Sequence, residues 1–420
     1  MKKSLLPIIL TVFLDMLGVG IVIPIAAPLL LGTNYALFSP ATDFSTRAIY
    51  LGFLFAAYPL AQFFGAPLLG ALADKYGRKK LLRLSLIGTL IGYFLFAAGI
   101  WVESLPILFI SRIIDGFTGG NIAIAMSAIS DISDEKEKAK NFGIIGAFFG
   151  VGFILGPYIG GKLADNTLVS WFDLATPYLF AALLSFINLI LIQFRFEETL
   201  KKPSTAPLDW TTGFKNIKKA FSLPNLRTIF TVVFLLTFGF SFFTQFIQVF
   251  CIKKFQYTES NIADFFAYAG IWIFVTQGLF LRQLTRYFSP RQIVGITCLT
   301  MTIAIFCMTL PQQSLYLYYI MPFLSISHGL TMPNTTAIVS QQADATQQGE
   351  ILGMNQSMQS LGHAIPPLIG GYFTSIDINL PIWAAAAFIL LAWMIFVMFF
   401  RPHQETAEDF EGKIAKIGEK

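Results

Sequence analysis

Two aspartates and one arginine interrupt long apolar stretches of this sequence. Asp15 lies in the first such stretch, and Arg112 and Asp115 lie in the fourth. A charged side chain at the centre of a membrane helix costs about 2.5 to 3.5 kcal/mol on insertion scales, so it should face the bundle interior or a water-filled cavity. Because desolvation favours the neutral form of a carboxyl group, Asp15 and Asp115 are candidates for binding and releasing a proton.

Arg112 precedes Asp115 by three positions, which places the two side chains on one face of a helix. Two roles are compatible with this spacing. The residues can form a static ion pair that only neutralises two charges, or the arginine can tune a proton site at Asp115. The sequence therefore predicts that Asp15, Arg112 and Asp115 are proton-coupling residues.

The composition shows which class of protein must position these charges. Of the 420 residues, 55% are hydrophobic and 13% are charged, and the mean hydropathy is +0.66. These values are typical of an integral membrane protein and exclude an ordinary soluble domain. The three cysteines show no CxxC spacing, so neither a disulfide framework nor a metal site is predicted. The net charge of +5 does not indicate a nucleic-acid partner, because the basic residues follow the loops.

Apolar runs of 18 or more residues, long enough to cross about 30 Å of hydrocarbon, predict twelve membrane helices. The predicted spans are 5–31, 47–71, 81–102, 105–130, 141–162, 175–195, 227–252, 262–282, 291–310, 314–340, 350–373 and 380–400. With both termini in the cytoplasm, 24 of the 29 lysines and arginines fall in cytoplasmic loops and tails. This bias predicts that topology, because short basic loops stay on the cytoplasmic side.

A long polar segment and an internal repeat both divide the chain in two. The segment 196–226 carries prolines and charges and separates six predicted spans from six others, with a short surface helix expected at 215–221. The stretch 143–161 matches 353–371 in four glycines and one proline at an offset of 210 residues. We therefore expect a first half at 1–195, a linker at 196–226, a second half at 227–400 and a cytoplasmic tail at 401–420.

The loop between the second and third spans reads Gly70, Leu72, Ala73, Asp74, Gly77, Arg78, Lys79 and Lys80. It resembles the signature loop of the major facilitator superfamily of secondary transporters. The resemblance implies an all-α membrane protein with 12 transmembrane helices in two pseudo-symmetric six-helix halves, with the substrate site between them. It also implies a conformational latch made of Gly70, Asp74, Gly77, Arg78, Lys79 and Asp131. In this latch the acid caps a helix of the other half and the bases pair with nearby acids.

Three further stretches resemble the superfamily's drug and proton antiporters, and among these the tetracycline efflux proteins. They are Leu14 to Pro24, Ser111 to Gly120 with Asp131 beyond it, and Gly152, Gly156, Pro157, Gly160 and Gly161. The resemblance implies that these last five residues form the antiporter motif, which packs against the other half. Plain helix packing explains the glycine spacing equally well. Asp115 departs from the family pattern, where a small residue is commoner.

Polar side chains in the second half predict a substrate cavity. Gln245 lies in the seventh span, and Asn355, Gln359 and His363 recur every four residues in the eleventh. Residues at that spacing share one helix face. They can line a cavity, or they can satisfy hydrogen bonds between neighbouring helices. His363 can titrate or can be a hydrogen-bonded core residue.

These patterns together predict a proton-coupled secondary active transporter that exports small amphipathic, tetracycline-like compounds. Gly156, Gly161 and Lys162 approach a phosphate-binding loop, but Leu163 stands where Ser or Thr must hold magnesium, so ATP-driven transport is not expected. No enzyme activity and no cofactor are predicted. The expected partners are a small-molecule substrate, protons and lipid, in a bacterial-type inner membrane, and the resemblance implies a monomer. Two alternatives are transport of a metabolite or siderophore, and a non-transporting membrane sensor.

Overall fold

A computed structural model of the chain describes residues 5–32, 35–132, 148, 151–152, 155–200, 211–222, 224–341 and 348–400. These residues form helices and connecting turns, and no strand occurs among them. The helices are α1 Leu5–Leu31, α2 Phe44–Tyr76, α3 Arg78–Trp101, α4 Leu105–Thr118, α5 Asn121–Ile132, α6 155–163, α7 Thr176–Arg195, α8 Thr212–Ser222, α9 Pro224–Phe255, α10 Glu259–Val275, α11 Leu281–Tyr287, α12 Pro290–Cys307, α13 Leu315–Gln341, α14 Gln348–Ala364, α15 Pro366–Ile376 and α16 Leu380–Phe399.

Eight segments within the described ranges are long and apolar enough to cross a membrane. They are Leu6–Leu31, Phe44–Tyr76, Arg78–Trp101, Thr176–Arg195, Leu226–Phe255, Glu259–Tyr287, Pro290–Cys307 and Leu380–Phe399. Each corresponds to one of the predicted spans. The total of twelve stays a prediction, and two of the four other spans are split in ways that the sequence did not reveal.

The fourth predicted span divides into α4 and α5, which meet at a turn through Gly119 and Gly120. The eleventh divides into α14 and α15 at Ile365, and Pro366 and Pro367 occupy the first positions of α15. Proline suits those positions because the first amides of a helix have no intrahelical acceptor. Much of the fifth span, 141–162, lies outside the described residues. The tenth is the continuous helix α13, which carries Pro322 and Pro333.

Two aromatic clusters mark the cores of the two halves. In the first half the rings of Phe96 and Tyr178 stack with their centroids 4.0 Å apart. In the second half the ring of Phe238 contacts Phe388 at 4.7 Å, within a core formed mainly by α9, α12, α13 and α16. The two cores also share residues, because Phe246 and Val249 of α9 pack in the core of the first half.

The linker contributes to both cores. Phe196 is 1% exposed and packs in the first half, whereas Ala220 of α8 is fully buried in the core of the second half. The predicted surface helix at 215–221 is confirmed as α8, Thr212–Ser222. The middle of the linker, 201–210, and the predicted tail, 401–420, lie outside the described residues.

The halves meet closely at the end of the bundle where α2 and α10 begin, which we call the Lys162 end. There the backbone of Gly371 on α15 lies against Ala48 and Gly52 of α2. One turn deeper, Phe55 of α2 makes an edge-to-face contact with Phe246 of α9 at 6.2 Å. The opposite end, where α2 turns into α3, is called the Arg78 end.

Candidate functional site

Asp15 is held inside the first half by an amide. Asn121, the first residue of α5, donates a hydrogen bond from Nδ2 to Oδ1 of Asp15 at 2.9 Å. The aspartate is 7% exposed and the asparagine is fully buried. Within the described ranges, the second carboxylate oxygen, Oδ2, has no hydrogen-bond partner. Asp15 therefore keeps one acceptor for a proton or for a hydrogen-bond donor.

Arg112 and Asp115 form the buried ion pair that their spacing predicts. The distance from Nη2 of Arg112 to Oδ2 of Asp115 is 2.5 Å, and the side chains are 3% and 5% exposed. The guanidinium also lies 5.2 Å from the ring centroid of Phe96 and 5.5 Å from that of Tyr58. A cation between aromatic faces is stabilised by the ring quadrupoles. The pair is therefore formed in this conformation, and two aromatic rings flank its guanidinium group.

Close backbone packing lets α3 carry this pair. An added Cβ at Gly92 of α3 would lie 2.8 Å from the Cβ of Asp115, so only glycine fits there. Ser111 donates to the carbonyl oxygen of Gly92 at 2.8 Å, which fixes the same crossing of α3 and α4. The hydroxyl of Tyr93 reaches α1 and contacts Gly18. The result is a polar centre shared by α1, α3, α4 and α5.

The structure brings all three predicted proton-coupling residues into this centre. Asp15 and Asp115 are close enough to interact electrostatically. Among the described residues, however, Asp15 makes no hydrogen bond to Arg112 or Asp115. With both carboxyl groups ionised the centre carries one net negative charge, which a single proton or a single cationic group would neutralise.

Sequence reasoning missed Asn121, Tyr58 and Tyr93. Asn121 is an amide within an apolar run directly after Gly119 and Gly120, and that signal could have identified it. The tyrosines could not be distinguished from ordinary core aromatics, because only the helix crossings turn them towards the charges.

The antiporter glycines face two different neighbours. Gly156 lies against α1, where an added Cβ would be 2.5 Å from the carbonyl oxygen of Leu17. Gly152 and Gly160 also pack on α1, and Pro157 lies against Gly20 of that helix. The expectation that the stripe packs against the other half is therefore wrong for these residues, because α1 belongs to the same half.

Gly161 differs from the rest of the motif because it contacts the second half. An added Cβ would lie 2.5 Å from the Cβ of Ala263 and 2.5 Å from the carbonyl oxygen of Glu259, both on α10. The repeat partner of Gly161 at the offset of 210 residues is Gly371, and it lies against Gly52 on α2 of the first half. Both copies of the repeat thus end in a glycine that touches the opposite half.

At the Arg78 end, Arg78 organises the predicted latch. Its Nη2 lies 2.5 Å from Asp74 of α2, and its Nε lies 3.2 Å from Asp131 of α5. Arg78 is 6% exposed, so most of its charge is satisfied inside the protein. Both acids belong to the first half. The expected cap by Asp74 on a helix of the other half stays a prediction, since residues 342–347, which precede α14, lie outside the described residues.

A linker residue that the sequence did not single out, Glu198, caps the start of α3. It accepts hydrogen bonds from the backbone amides of Arg78 at 2.9 Å and Lys79 at 3.1 Å. Gly77 adopts a φ of 102°, a region that glycine enters without a steric penalty. An added Cβ at Gly77 would lie 2.5 Å from Glu198 Oε2. Of the other latch residues, Gly70 has no atom within 4 Å of an added Cβ.

The predicted cavity residues of the second half differ in burial and in their contacts. Asn355 is 5% exposed with an unpartnered Oδ1, whereas Gln359 is half-buried and His363 is exposed. Gln245 accepts a hydrogen bond at its backbone oxygen from Gln248 at 3.2 Å. The ring of His328 on α13 stacks on Phe240 of α9 at 3.7 Å. Within the described ranges no hydrogen bond joins any of the four to the charged centre of the first half.

No group of three or more His, Cys, Asp or Glu side chains that could hold a metal ion occurs in the described part of the chain. The charged side chains that the structure places in the centre are Asp15, Arg112 and Asp115. Carboxyl groups can bind and release protons, and carboxylates beside a guanidinium can recognise a charged or hydrogen-bonding compound.

Comparison with known proteins identifies a family and several relatives that resemble this chain. The family model of the Major Facilitator Superfamily matches residues 8–367 and 282–417. Multidrug resistance protein 1 of Bacillus subtilis is 27% identical over 96% of this chain and 97% of that protein. Tetracycline resistance protein, class C, of Escherichia coli is 30% identical over 88% of this chain and 89% of its own length. Quinolone resistance protein NorA of Staphylococcus aureus is 29% identical over 97% of this chain and 99% of that protein.

Solved structures show the same fold at low sequence identity. The human organic anion transporter MFSD10 superposes with a TM-score of 0.72 at 21% identity, covering 94% of this chain and 99% of that one. A D-xylose-proton symporter superposes with a TM-score of 0.75 at 15% identity, covering 95% and 98%. These relatives and neighbours are transporters rather than enzymes. The match to the family model over most of the sequence shows that this chain belongs to the Major Facilitator Superfamily.

Proposed function

We propose that the chain is a proton-coupled drug efflux transporter that exports small amphipathic compounds in exchange for protons. The observation that carries the proposal is the buried carboxylate of Asp15. One of its oxygens is bonded to Asn121, and the other has no partner among the residues that the structure describes. A charge in that position is costly to maintain without a role. The relatives named for multidrug, tetracycline and quinolone resistance support export of drugs.

The charge of the site supports competition between proton and substrate. Asp15, Arg112 and Asp115 carry one net negative charge when both carboxyl groups are ionised. Binding of one proton neutralises the centre, and binding of a cationic or hydrogen-bonding drug beside Asp15 displaces that proton. Neutralisation removes a charge from an apolar environment and so lowers the cost of burying the site. Proton binding therefore favours the facing state in which the site is more deeply buried, and proton release favours the other state.

The proton gradient supplies enough energy for this exchange. Moving one charge through 100 mV yields about 2.3 kcal/mol, and one pH unit adds about 1.4 kcal/mol. Together, roughly 3.7 kcal/mol sustains a substrate gradient of several hundred-fold for each proton.

We place the Arg78 end in the cytoplasm, because the basic residues concentrate in the loops at that end. The termini then lie in the cytoplasm, and the first half, linker, second half and tail keep the boundaries 1–195, 196–226, 227–400 and 401–420. Asp74, Arg78 and Asp131 act as the latch on that side. Gln245, Asn355, Gln359 and His363 are proposed to line the substrate cavity. The working unit is a monomer and takes no nucleic acid.

The first test measures proton release from purified full-length protein in weak buffer on addition of tetracycline, a fluoroquinolone or a cationic dye. We expect a drug that binds to release up to one proton per molecule bound. The Asp15→Asn variant should lose this release, because the amide cannot carry the exchanged proton. Asp377→Asn, which alters an exposed loop carboxylate, is the matched control and should behave like the unmodified protein.

Two outcomes would overturn the proposal. Proton release by a metabolite or an iron chelate, with none by any drug, would assign the same coupling to a different cargo. Unchanged release in Asp15→Asn would remove Asp15 from proton coupling.

A further inference from the structure

Lys162 joins the two halves at the Lys162 end. Its Nζ lies 2.9 Å from Oδ1 and 3.0 Å from Oδ2 of Asp264, and it donates to Oγ of Ser260 at 2.7 Å. Lys162 belongs to α6 of the first half, and Ser260 and Asp264 belong to α10 of the second half. The ammonium group is thus held by two partners that move together with the opposite half.

The neighbouring backbone is arranged so that this contact can form. Gly161 brings α6 against Ala263 and Glu259, which places the next residue, Lys162, within reach of Ser260 and Asp264. The start of α10 is fixed by a capping box, in which Thr258 and Asn261 bond each other's backbone amides. The position of Ser260 and Asp264 is therefore set by a rigid helix start rather than by a loop.

The pair is only partly shielded from water. The Lys162 side chain is 27% exposed and the Asp264 side chain is 48% exposed. Both groups can regain water when they separate, so breaking the pair avoids the large penalty that a fully buried pair would incur. A contact of this kind can favour one conformation and still break in every cycle.

At the Arg78 end, Arg78 forms two ion pairs. The ion pairs of Arg78 with Asp74 and Asp131 both lie within the first half. By contrast, the ion pair of Lys162 with Asp264 joins the two halves at the Lys162 end. The conformation in hand is therefore held together by charge at that end.

We propose that Lys162 and Asp264 are positioning residues that keep the Lys162 end closed and that must separate before substrate leaves there. The role rests on the proposed exchange between two facing states. Neither residue touches substrate. They act by setting the ratio of the closed to the open state at that end.

The test measures distances in the full-length protein in lipid nanodiscs without substrate. Spin labels at Leu168→Cys and Gln312→Cys, in a chain whose three native cysteines are replaced by alanine, report the separation of the halves at the Lys162 end. Loss of a partly exposed ion pair should raise the ratio of open to closed molecules about two- to five-fold. We expect this shift in Lys162→Met and in Asp264→Asn. The charge-swapped Lys162→Asp/Asp264→Lys chain should restore the closed population.

A matched control comes from a second lysine at the same end. Lys254 donates to the carbonyl oxygen of Thr309 at 2.8 Å, within the second half, so Lys254→Met should leave the distances unchanged. The proposal would be overturned if the distances did not change in the single variants or if they changed equally in Lys254→Met. It would also be overturned if the charge-swapped chain kept the larger open population of the single variants. Since no substrate is present, the distances test the role of the Lys162–Asp264 ion pair independently of drug export. Proton release on drug addition tests export alone.

Discussion

The charged centre of the first half buries its ionised groups in two different ways, as an ion pair and as a carboxylate bonded to an amide. Arg112 and Asp115 neutralise each other within one helical turn. In the part of the chain that the structure describes, the hydrogen-bond partner of Asp15 is the amide of Asn121, which comes from a different helix. An amide donates a hydrogen bond without cancelling the charge, so Asp15 remains the group whose neutralisation changes the net charge of the site. This difference is why we assign the exchanged proton to Asp15 rather than to Asp115.

The Arg112 and Asp115 pair leads to a prediction about stability. Removal of one partner, in Arg112→Leu, leaves an uncompensated buried carboxylate and should lower the free energy of unfolding by about 3 to 5 kcal/mol. The double variant Arg112→Leu/Asp115→Leu should recover most of that loss, because apolar side chains of similar volume replace both charges. Thermal unfolding of the purified variants in one detergent ranks their stabilities. If the double variant is as unstable as the sum of its single variants, the pair does not act as a unit.

At the scale of helices, the turn between α2 and α3 depends on a residue far away in sequence. Glu198 follows Arg78 by 120 positions, yet it caps the amides of Arg78 and Lys79 at the start of α3. Carboxylates stabilise helix N-termini because of the free amides and the helix dipole. The loop therefore owes its shape to the linker as well as to its own residues.

This turn can be tested with two substitutions that act on the same contact. Glu198→Ala removes the cap and should lower stability by about 0.5 to 2 kcal/mol. Gly77→Ala places a side chain at a φ of 102° and a ψ of 143°, a region that is nearly restricted to glycine, at a cost of about 1 to 3 kcal/mol. Because both substitutions disturb one contact, their effects should not add. Chemical denaturation of the single and double variants measures whether the two losses of stability add. Fully additive losses would show that Glu198 and Gly77 stabilise the turn independently.

The helices themselves were largely predictable from the sequence. The predicted spans 47–71 and 380–400 correspond to Phe44–Tyr76 and Leu380–Phe399, because long apolar runs have few alternatives in a membrane. The breaks at Gly119 and Ile365 were missed, since apolar residues on both sides hide the change of direction. Asp15, Arg112 and Asp115 were found because charges are rare in such runs. Glu198 was not identified, because its partner lies 120 positions away in the sequence. Asn121 was overlooked, although an amide in an apolar run is a signal that the sequence offers.

At the scale of the molecule, two glycines related by the repeat bring the halves together. Gly161 lies against α10, and Gly371 lies against α2. An enlarged side chain at either position must push the halves apart at the Lys162 end, because the neighbouring atoms are backbone or the Cβ of a short residue. The internal repeat seen in the sequence therefore corresponds to an equivalent contact made twice.

Gly161→Val and Gly371→Val should each weaken closure at the Lys162 end. We expect faster amide hydrogen exchange in the first turns of α10 for the former and of α2 for the latter, measured by mass spectrometry on the full-length chain. Gly295→Ala is the control, since an added Cβ there meets no atom within 4 Å and should stabilise α12 by about 0.5 to 1 kcal/mol. Unchanged exchange in both valine variants would show that the halves tolerate the added volume.

The linker has a consequence for how the chain can be assembled. Its first residues, Phe196 to Leu200, are fastened to the first half through the buried ring of Phe196 and the hydrogen bonds of Glu198. Its last part, α8, belongs to the core of the second half through Ala220. The covalent join between the halves therefore reduces to the residues between Leu200 and Thr212. Each half keeps its own part of the linker, so the chain resembles a heterodimer whose two subunits happen to be encoded as one polypeptide.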